Sequence, residues 1–224
     1  MPRRSSSRIE HLRRALAVEA ARIMAEHGIN DFLVAKRKAA ERLGVTEDTA
    51  LPRNTEIEAA LAEYQRLFAA DSHAEQLQQL RQAALRAMHE LADFTPRLVG
   101  PVLSGTATAH AGVQLHLFAD RPEAVSLKLM DRGIDFEVTE RRMRLDAERT
   151  RPVPGLRFEM GEQQIEASVF PPEGIRQAPL SPVDGRPMRM PGSPIISSQC
   201  ATQPAVRAIA NITVNMARGM LSAL

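Results

Sequence analysis

The first part of the chain has the hydrophobic periodicity of helices. Between residues 8 and 27, apolar residues recur at three- and four-residue steps, and Gly28 follows where a C-terminal glycine cap belongs. Similar patterns recur three more times before residue 96. We therefore predict helices over 8–27, from Asn30 or Asp31 to Leu43, from Asn54 to Phe68 with an apolar stripe of Ile57, Leu61, Tyr64 and Phe68, and from a Ser72–Glu75 capping box to a point before Pro96.

The pattern changes between Leu98 and Asp120, where two short strands flank a loop of small residues. The first strand is apolar and is predicted to end near Leu103. The second alternates apolar with other residues over 113–118, which is typical of a half-buried strand with Gln114 and His116 on its other face. Further elements are predicted as a helix from Pro122 to Arg132 closed by Gly133, strands over 134–138 and 142–145, and a hairpin of 156–160 and 164–170 around Gly161-Glu162.

Proline content divides the rest of the chain. Seven of the 15 prolines lie between residues 171 and 194, where long regular elements cannot form, so this stretch is expected to wrap the surface or be disordered. The expected organisation is a helical N-terminal region (1–72), an α/β domain (73–170), a Pro-rich extension (171–195) and a tail (196–224) with a helix from Pro204 to Leu221.

Composition says more about where the protein is located than about what it does. The net charge of +2 does not by itself indicate nucleic acid, and the single Cys200 excludes a disulfide framework and favours a reducing compartment. No apolar run approaches the roughly 20 residues that cross a bilayer, and the basic start lacks an apolar segment behind it. The expected location is cytoplasmic, with no membrane partner.

A glycine-containing motif and its distance from the second strand carry a family resemblance. Val99-Gly100-Pro101 is followed after twelve residues by Gln114-Leu115-His116, and the loop between them contains Ser104-Gly105-Thr106-Ala107. This arrangement resembles the small nucleotidyltransferases, the minimal branch of the polymerase-β superfamily, and is similar to uncharacterised bacterial proteins sometimes given that label. The resemblance implies an α+β fold, in which a nucleotidyltransferase-like mixed sheet with flanking helices follows the N-terminal helices. It also implies nucleotide-binding positions at Gly100, Ser104, Gly105 and Thr106.

The acidic residues of that family are missing at the matching positions. Gln114 and His116 stand where two metal-binding carboxylates belong, and Glu166 stands where the third would fall. Nucleotidyl transfer needs carboxylates because Mg²⁺ prefers hard oxygen ligands, and one carboxylate is insufficient. We therefore predict a catalytically degenerate protein with a binding or regulatory role, with no confident catalytic residue and no metal. Mg²⁺ and a nucleoside triphosphate are expected only if displaced ligands keep the protein active.

A transition-metal site of His110, His116 and Glu166 is an alternative, although the more usual role for His116 is a solvated or hydrogen-bonded one.

The N-terminal helices suggest a different class of function. Residues 1–44 contain ten basic and five acidic residues, and segments 20–29 and 39–45 are similar to helices of TetR-type repressors. A helix-turn-helix needs a recognition helix directly afterwards, but Glu47, Asp48 and Pro52 occupy that place. The prediction is weak, non-specific nucleic-acid binding through residues 3–42 or a protein partner, with a basic solvated surface as the simpler interpretation.

Overall fold

The structure is a computed structural model that describes residues 3–45, 51–68, 70–146 and 148–191. It has the predicted α+β fold, with helices followed by a five-stranded mixed sheet. The predicted tail helix, Cys200, the end of the Pro-rich extension and the Glu47-Asp48 turn lie outside the described residues. No helix in the described ranges is both long and apolar enough to span a bilayer.

Three helices form a small core of their own. They are α1 (Arg3–His27), α2 (Phe32–Arg42) and α3 (Asn54–Phe68). Asp31 caps α2, because its Oδ1 accepts from the backbone N–H of Leu33 at 2.7 Å and of Val34 at 3.0 Å. The buried residues repeat at helical spacing and are mostly small or aliphatic: Leu16, Ala17, Ala20, Ala21, Ile23, Met24, Ala35, Ala39, Ile57 and Leu61.

Three details of the helical prediction are wrong, the first being that α1 begins at Arg3 and not at residue 8. Phe68 was expected on the apolar stripe of α3 but is 73% exposed, and the buried side of the helix continues instead from Leu61 to Gln65. The fourth helix, α4 (Ala70–Glu90), begins two residues before Ser72, so the Ser72–Glu75 pair lies inside the helix rather than at its N-cap.

The sheet has the strand order β1-β2-β5-β4-β3. Its strands are β1 (Arg97–Val99), β2 (Val113–Phe118), β3 (Phe136–Arg144), β4 (Thr150–Met160) and β5 (Gln163–Phe170). All neighbours are antiparallel except β2 and β5, which are parallel. Helices α5 (Pro101–Ser104) and α6 (Pro122–Asp131) follow β1 and β2, and 3₁₀ turns occupy Ala92–Phe94 and Pro172–Arg176.

The strand predictions need three corrections. The apolar stretch to Leu103 is not one strand, because the chain turns at Gly100 into α5. The two strands predicted over 134–145 are the single strand β3. β4 begins earlier than predicted and contains Pro152 and Pro154, which are tolerated because β5 pairs with β4 only from Gly155 onward.

The two faces of the sheet have different chemistry. Helices α4 and α6 cover the apolar face, where Leu80, Leu115, Leu129 and Ile165 are fully or almost fully buried. The alternate residues of the same strands, including Gln114 and Glu166, form a more polar face, which the starts of α2 and α3 and residues 179–189 surround. This polar face is therefore the floor of an open cleft.

The Pro-rich extension lies across that cleft. Leu180 N donates to Arg144 O at 2.7 Å at the edge of β3, and Asn54 Nδ2 of α3 donates to Pro182 O at 2.6 Å. Met190 packs against Phe118, Val153 and Phe170 at one end of the polar face. The segment thus connects the N-terminal helices with the sheet, as expected for a chain that wraps the surface.

Candidate functional site

The cleft above the polar face has a volume of about 1070 Å³. Its walls come from three parts of the chain: the starts of α2 and α3, the turn between β1 and α5, and residues 179–189. The sequence-predicted residues Gly100, Ser104, Thr106, Gln114, His116 and Glu166 all line it. The structure therefore brings most of the predicted site residues together in one place.

Gly100 is required where β1 turns into α5. Its φ is +72°, a region that favours glycine, and a Cβ at this position would overlap Gln114 Oε1. Gly105, with φ +84°, ends α5. The backbone at Gly100 therefore lies directly against Gln114, the first of the positions where the family resemblance implies a carboxylate.

Side chains of α3 and α4 hold the loop that follows α5. Gln65 Nε2 donates to Ala107 O at 3.0 Å, and Gln76 Nε2 donates to Thr108 O at 3.2 Å. His73 Nε2 lies 3.0 Å from Gly105 O and donates when it carries the ring proton. No pattern in the sequence distinguishes these three residues, because polar positions on helices look alike until the helices are placed beside the loop.

Glu58 on α3, one of the other carboxylates that line the cleft, was also missed. Thr106 Oγ1 donates to Glu58 Oε1 at 3.5 Å, and Thr106 Oγ1 lies 2.9 Å from Ser104 Oγ. Burial raises the pKa of Glu58, and the negative charge of Asp184 adds to this effect, although the hydrogen bonds from Thr106 and Ser104 oppose it. Glu58 therefore faces the two loop hydroxyls rather than the sheet carboxylate.

A row of polar side chains crosses four strands on the cleft floor. Gln114 is the register partner of Glu166, Glu166 of Arg157, and Arg157 of Glu137. Arg157 lies between two carboxylates, with its Nη2 3.7 Å from Glu166 Oε1 and its Nη1 3.5 Å from Glu137 Oε2. Arg141 Nη1 donates to Glu166 Oε2 at 2.8 Å. Glu166 is therefore paired with two guanidinium groups.

His116 is buried, contrary to the expectation of a half-exposed strand position. It is 1% exposed, its ring centroid lies 4.7 Å from that of Phe170, and its Nδ1 lies 3.5 Å from Met190 Sδ. Burial lowers the pKa of His116 to about 4, and the nearby positive charge of Arg141 contributes to the shift. The side chain is neutral at neutral pH. The prediction failed because the Pro-rich extension, 74 residues away in sequence, covers this position.

These residues do not fit a magnesium pair. Gln114 offers a neutral amide oxygen, His116 offers nitrogen beside a thioether, and Glu166 is already bonded to Arg141. Among the described residues, no group of three or more His, Cys, Asp or Glu side chains is arranged to hold a metal ion. His110 is exposed and lies against Gly28. The alternative site of His110, His116 and Glu166 is therefore not formed.

The basic N-terminal region is partly neutralised by its own acids. Glu19 accepts from Arg22 Nη2 at 2.9 Å and from Arg42 Nη1 at 3.0 Å, and these bonds lower the pKa of Glu19. Arg37 and Lys38 are exposed on α2. Some of the basic charge is thus used to join α1 with α2 rather than presented to a partner.

Comparison with known proteins adds no family. No protein-family model matches this chain, and no curated protein matches it. The resemblance to nucleotidyltransferases therefore depends on the residues of the chain alone and stays a prediction.

Proposed function

We propose that this chain is a nucleotidyltransferase-like protein that binds a nucleotide in its cleft and does not transfer it. The observation that carries the proposal is the bond between Arg141 and Glu166: the remaining carboxylate at the three matching positions already has a cationic partner. Nucleotidyl transfer by two metal ions needs several carboxylates that are free to bind the metals. Without transfer activity, the role that we propose for the protein is binding or regulation.

The order of elements around the cleft supports the nucleotidyltransferase part of the proposal. A helix, α4, precedes β1, Gly100 begins a short helix, and β2 returns antiparallel to β1. Glu166 is then placed directly opposite Gln114 by the parallel pairing of β5 with β2. This is the placement that the resemblance implies for the third carboxylate beside the first.

The test uses the full chain with labelled nucleoside triphosphates, Mg²⁺ or Mn²⁺, and nucleic-acid and protein acceptors. We expect nucleotide binding in equilibrium dialysis and no transfer of label. Glu166→Gln is compared with Glu159→Gln, an exposed glutamate on the neighbouring strand. Transfer that Glu166→Gln abolishes and Glu159→Gln preserves would support instead an active enzyme with displaced metal ligands.

The second candidate is weak binding of nucleic acid by the N-terminal helices, and the exposed Arg37 and Lys38 on α2 favour it. Phosphate contacts give an affinity that falls with salt, without sequence preference. Mobility-shift titrations of the full chain and of Arg37→Ala/Lys38→Ala at low and physiological salt test this function. Sequence-selective binding that persists at physiological salt would make it the leading proposal.

A further inference from the structure

Arg141 is a partly exposed cation that lines the cleft. Its side chain remains 46% exposed although one of its nitrogen atoms bonds to Glu166 Oε2 at 2.8 Å. A guanidinium group has five N–H donors in a planar fork that matches phosphate oxygens, so donors remain for a ligand. The bond to Glu166 orients the group across the cleft floor without using all of it.

The surroundings allow Arg141 to exchange partners. Arg157 lies 3.7 Å from the other oxygen of Glu166, so this carboxylate keeps a positive neighbour when Arg141 turns to a ligand. Arg142 and Arg189 line the same cleft and add positive charge. Glu58 and Asp184 line it as well and repel each other, which disfavours an anion beside them. An anion is therefore expected beside Arg141.

We infer that Arg141 takes the charge-neutralising part that metal ions play in nucleotidyltransferases, so that this cleft binds a phosphate-bearing ligand without a divalent cation. The inference rests on the proposed function because it concerns the same cleft, but it adds a specific property, metal independence. Glu166 is then a competitor of the ligand for Arg141 rather than a metal ligand.

Calorimetric titration of the full chain tests the inference, with ATP and inorganic pyrophosphate as probes, in EDTA and in Mg²⁺. Binding in EDTA is expected to be at least as tight as in Mg²⁺. Arg141→Met is expected to weaken it about tenfold or more, because it removes a charge-assisted contact. The control is Arg132→Met, which removes an exposed arginine paired with Glu90 at 3.4 Å outside the cleft. Thermal melting checks that both variants fold.

Glu166→Gln is a second test, in which tighter binding is expected instead of weaker binding. It remains informative if Arg141→Met does not fold. If Glu166 competes for Arg141, this variant binds pyrophosphate more tightly, by about two- to tenfold, whereas Glu159→Gln does not. If Glu166 holds a metal, Glu166→Gln binds ATP–Mg²⁺ more weakly.

The outcomes separate this inference from the proposed function. Binding that requires Mg²⁺, binding that Arg141→Met leaves unchanged, or failure of both probes to bind in EDTA would overturn the inference. Mg²⁺-dependent binding without transfer leaves the proposed function in place. Arg141-dependent binding of pyrophosphate together with nucleotide transfer would overturn the proposed lack of transfer and keep the anion site.

Discussion

Arg141 and Glu166 are bonded at 2.8 Å although the strands that carry them, β3 and β5, are not neighbours. The Arg141 side chain must cross β4. On the cleft face of β4, Gly155 stands between Val153, the register partner of Arg141, and Arg157, the register partner of Glu166. The residue at the crossing thus has no side chain, which leaves the route to Glu166 open.

Gly155→Ala is expected to destabilise the protein by about 1–3 kcal/mol through overpacking. A Cβ at this position would lie 2.7 Å from Ala167 O and 3.0 Å from Thr139 Oγ1, and the backbone oxygen cannot move aside easily. Urea unfolding measures the change. The control is Glu159→Ala on the exposed part of the same strand, for which a change within about 0.5 kcal/mol is expected. Equal stability of Gly155→Ala and the parent chain would show that β4 can shift at this point.

His116 is expected to make the protein less stable as the pH falls. Its pKa is about 4 in the folded chain and about 6.5 when unfolded, so below about pH 6.5 the unfolded state takes up a proton that the folded state does not. The loss in the free energy of unfolding grows as the pH falls to about 4, where it reaches about 3 kcal/mol. Above about pH 6.5 neither state takes up this proton, so no stability is lost through His116.

The measurement for this prediction is the free energy of unfolding near neutral pH and near pH 4. Other groups also take up protons on acidification, so the useful quantity is the difference in unfolding free energy between the parent chain and His116→Gln. The variant is expected to lose less stability on acidification, whatever its stability at neutral pH. His89→Gln, which changes an exposed histidine of α4, is the control. Identical pH dependence of His116→Gln and the parent chain would contradict the prediction.

The sequence predicted the helices and strands well, but it predicted the contacts between distant segments poorly. Alternation over 113–118 predicted β2 correctly, because one face of the strand packs on α4, and Gly161 correctly marked the turn between β4 and β5. The residues that begin and end helices, Asn54 for α3 and Pro122 and Gly133 for α6, predicted the bounds of these helices almost to the residue. These features depend on neighbours in sequence, which is why pattern alone was sufficient.

The parts of the site that were missed depend on contacts between distant segments. Nothing near Arg141 indicates that it crosses a strand to reach Glu166, 25 residues away. Nothing near His116 indicates that Met190 covers it. Gly100 and Gln114 were singled out by their spacing along the chain, and the antiparallel pairing of β1 with β2 places them side by side. The family resemblance pointed to Glu166, which β5 brings beside Gln114, whereas the contacts of Arg141 and His116 depend on segments that no local pattern connects.

Met190→Ala is expected to raise the pKa of His116 towards its ordinary value. Met190 covers the imidazole, so a smaller side chain admits water and reduces the burial that disfavours the charged ring. The NMR titration of the His116 ring protons measures the shift. Met188→Ala is the control in the same segment. An unchanged pKa in Met190→Ala would mean that Phe170 and the sheet bury His116 without the help of the Pro-rich extension.

Gln114→Asp combined with Arg141→Met is expected to create a binding site for divalent cations. The first change adds a carboxylate in register with Glu166, and the second releases Glu166 from its closest cation. Either change alone leaves one of these conditions unmet, so we expect calorimetry with Mn²⁺ to detect binding only in the double variant.

The control for the rebuilt site is Gln163→Asp combined with Arg141→Met, which changes the net charge equally. Gln163 is an odd-numbered residue of β5 and Glu166 an even-numbered one, so the added carboxylate lies on the opposite face of the sheet. Mn²⁺ binding by Gln114→Asp alone, as tight as in the double variant, would show that Arg141 does not keep metal from Glu166. Absence of binding in the double variant would have one of two causes: positions 114 and 166 do not converge on one ion, or Arg157, which lies 3.7 Å from Glu166, keeps the carboxylate neutralised. Adding Arg157→Met to the double variant separates these two causes, since only neutralisation by Arg157 would be relieved by it.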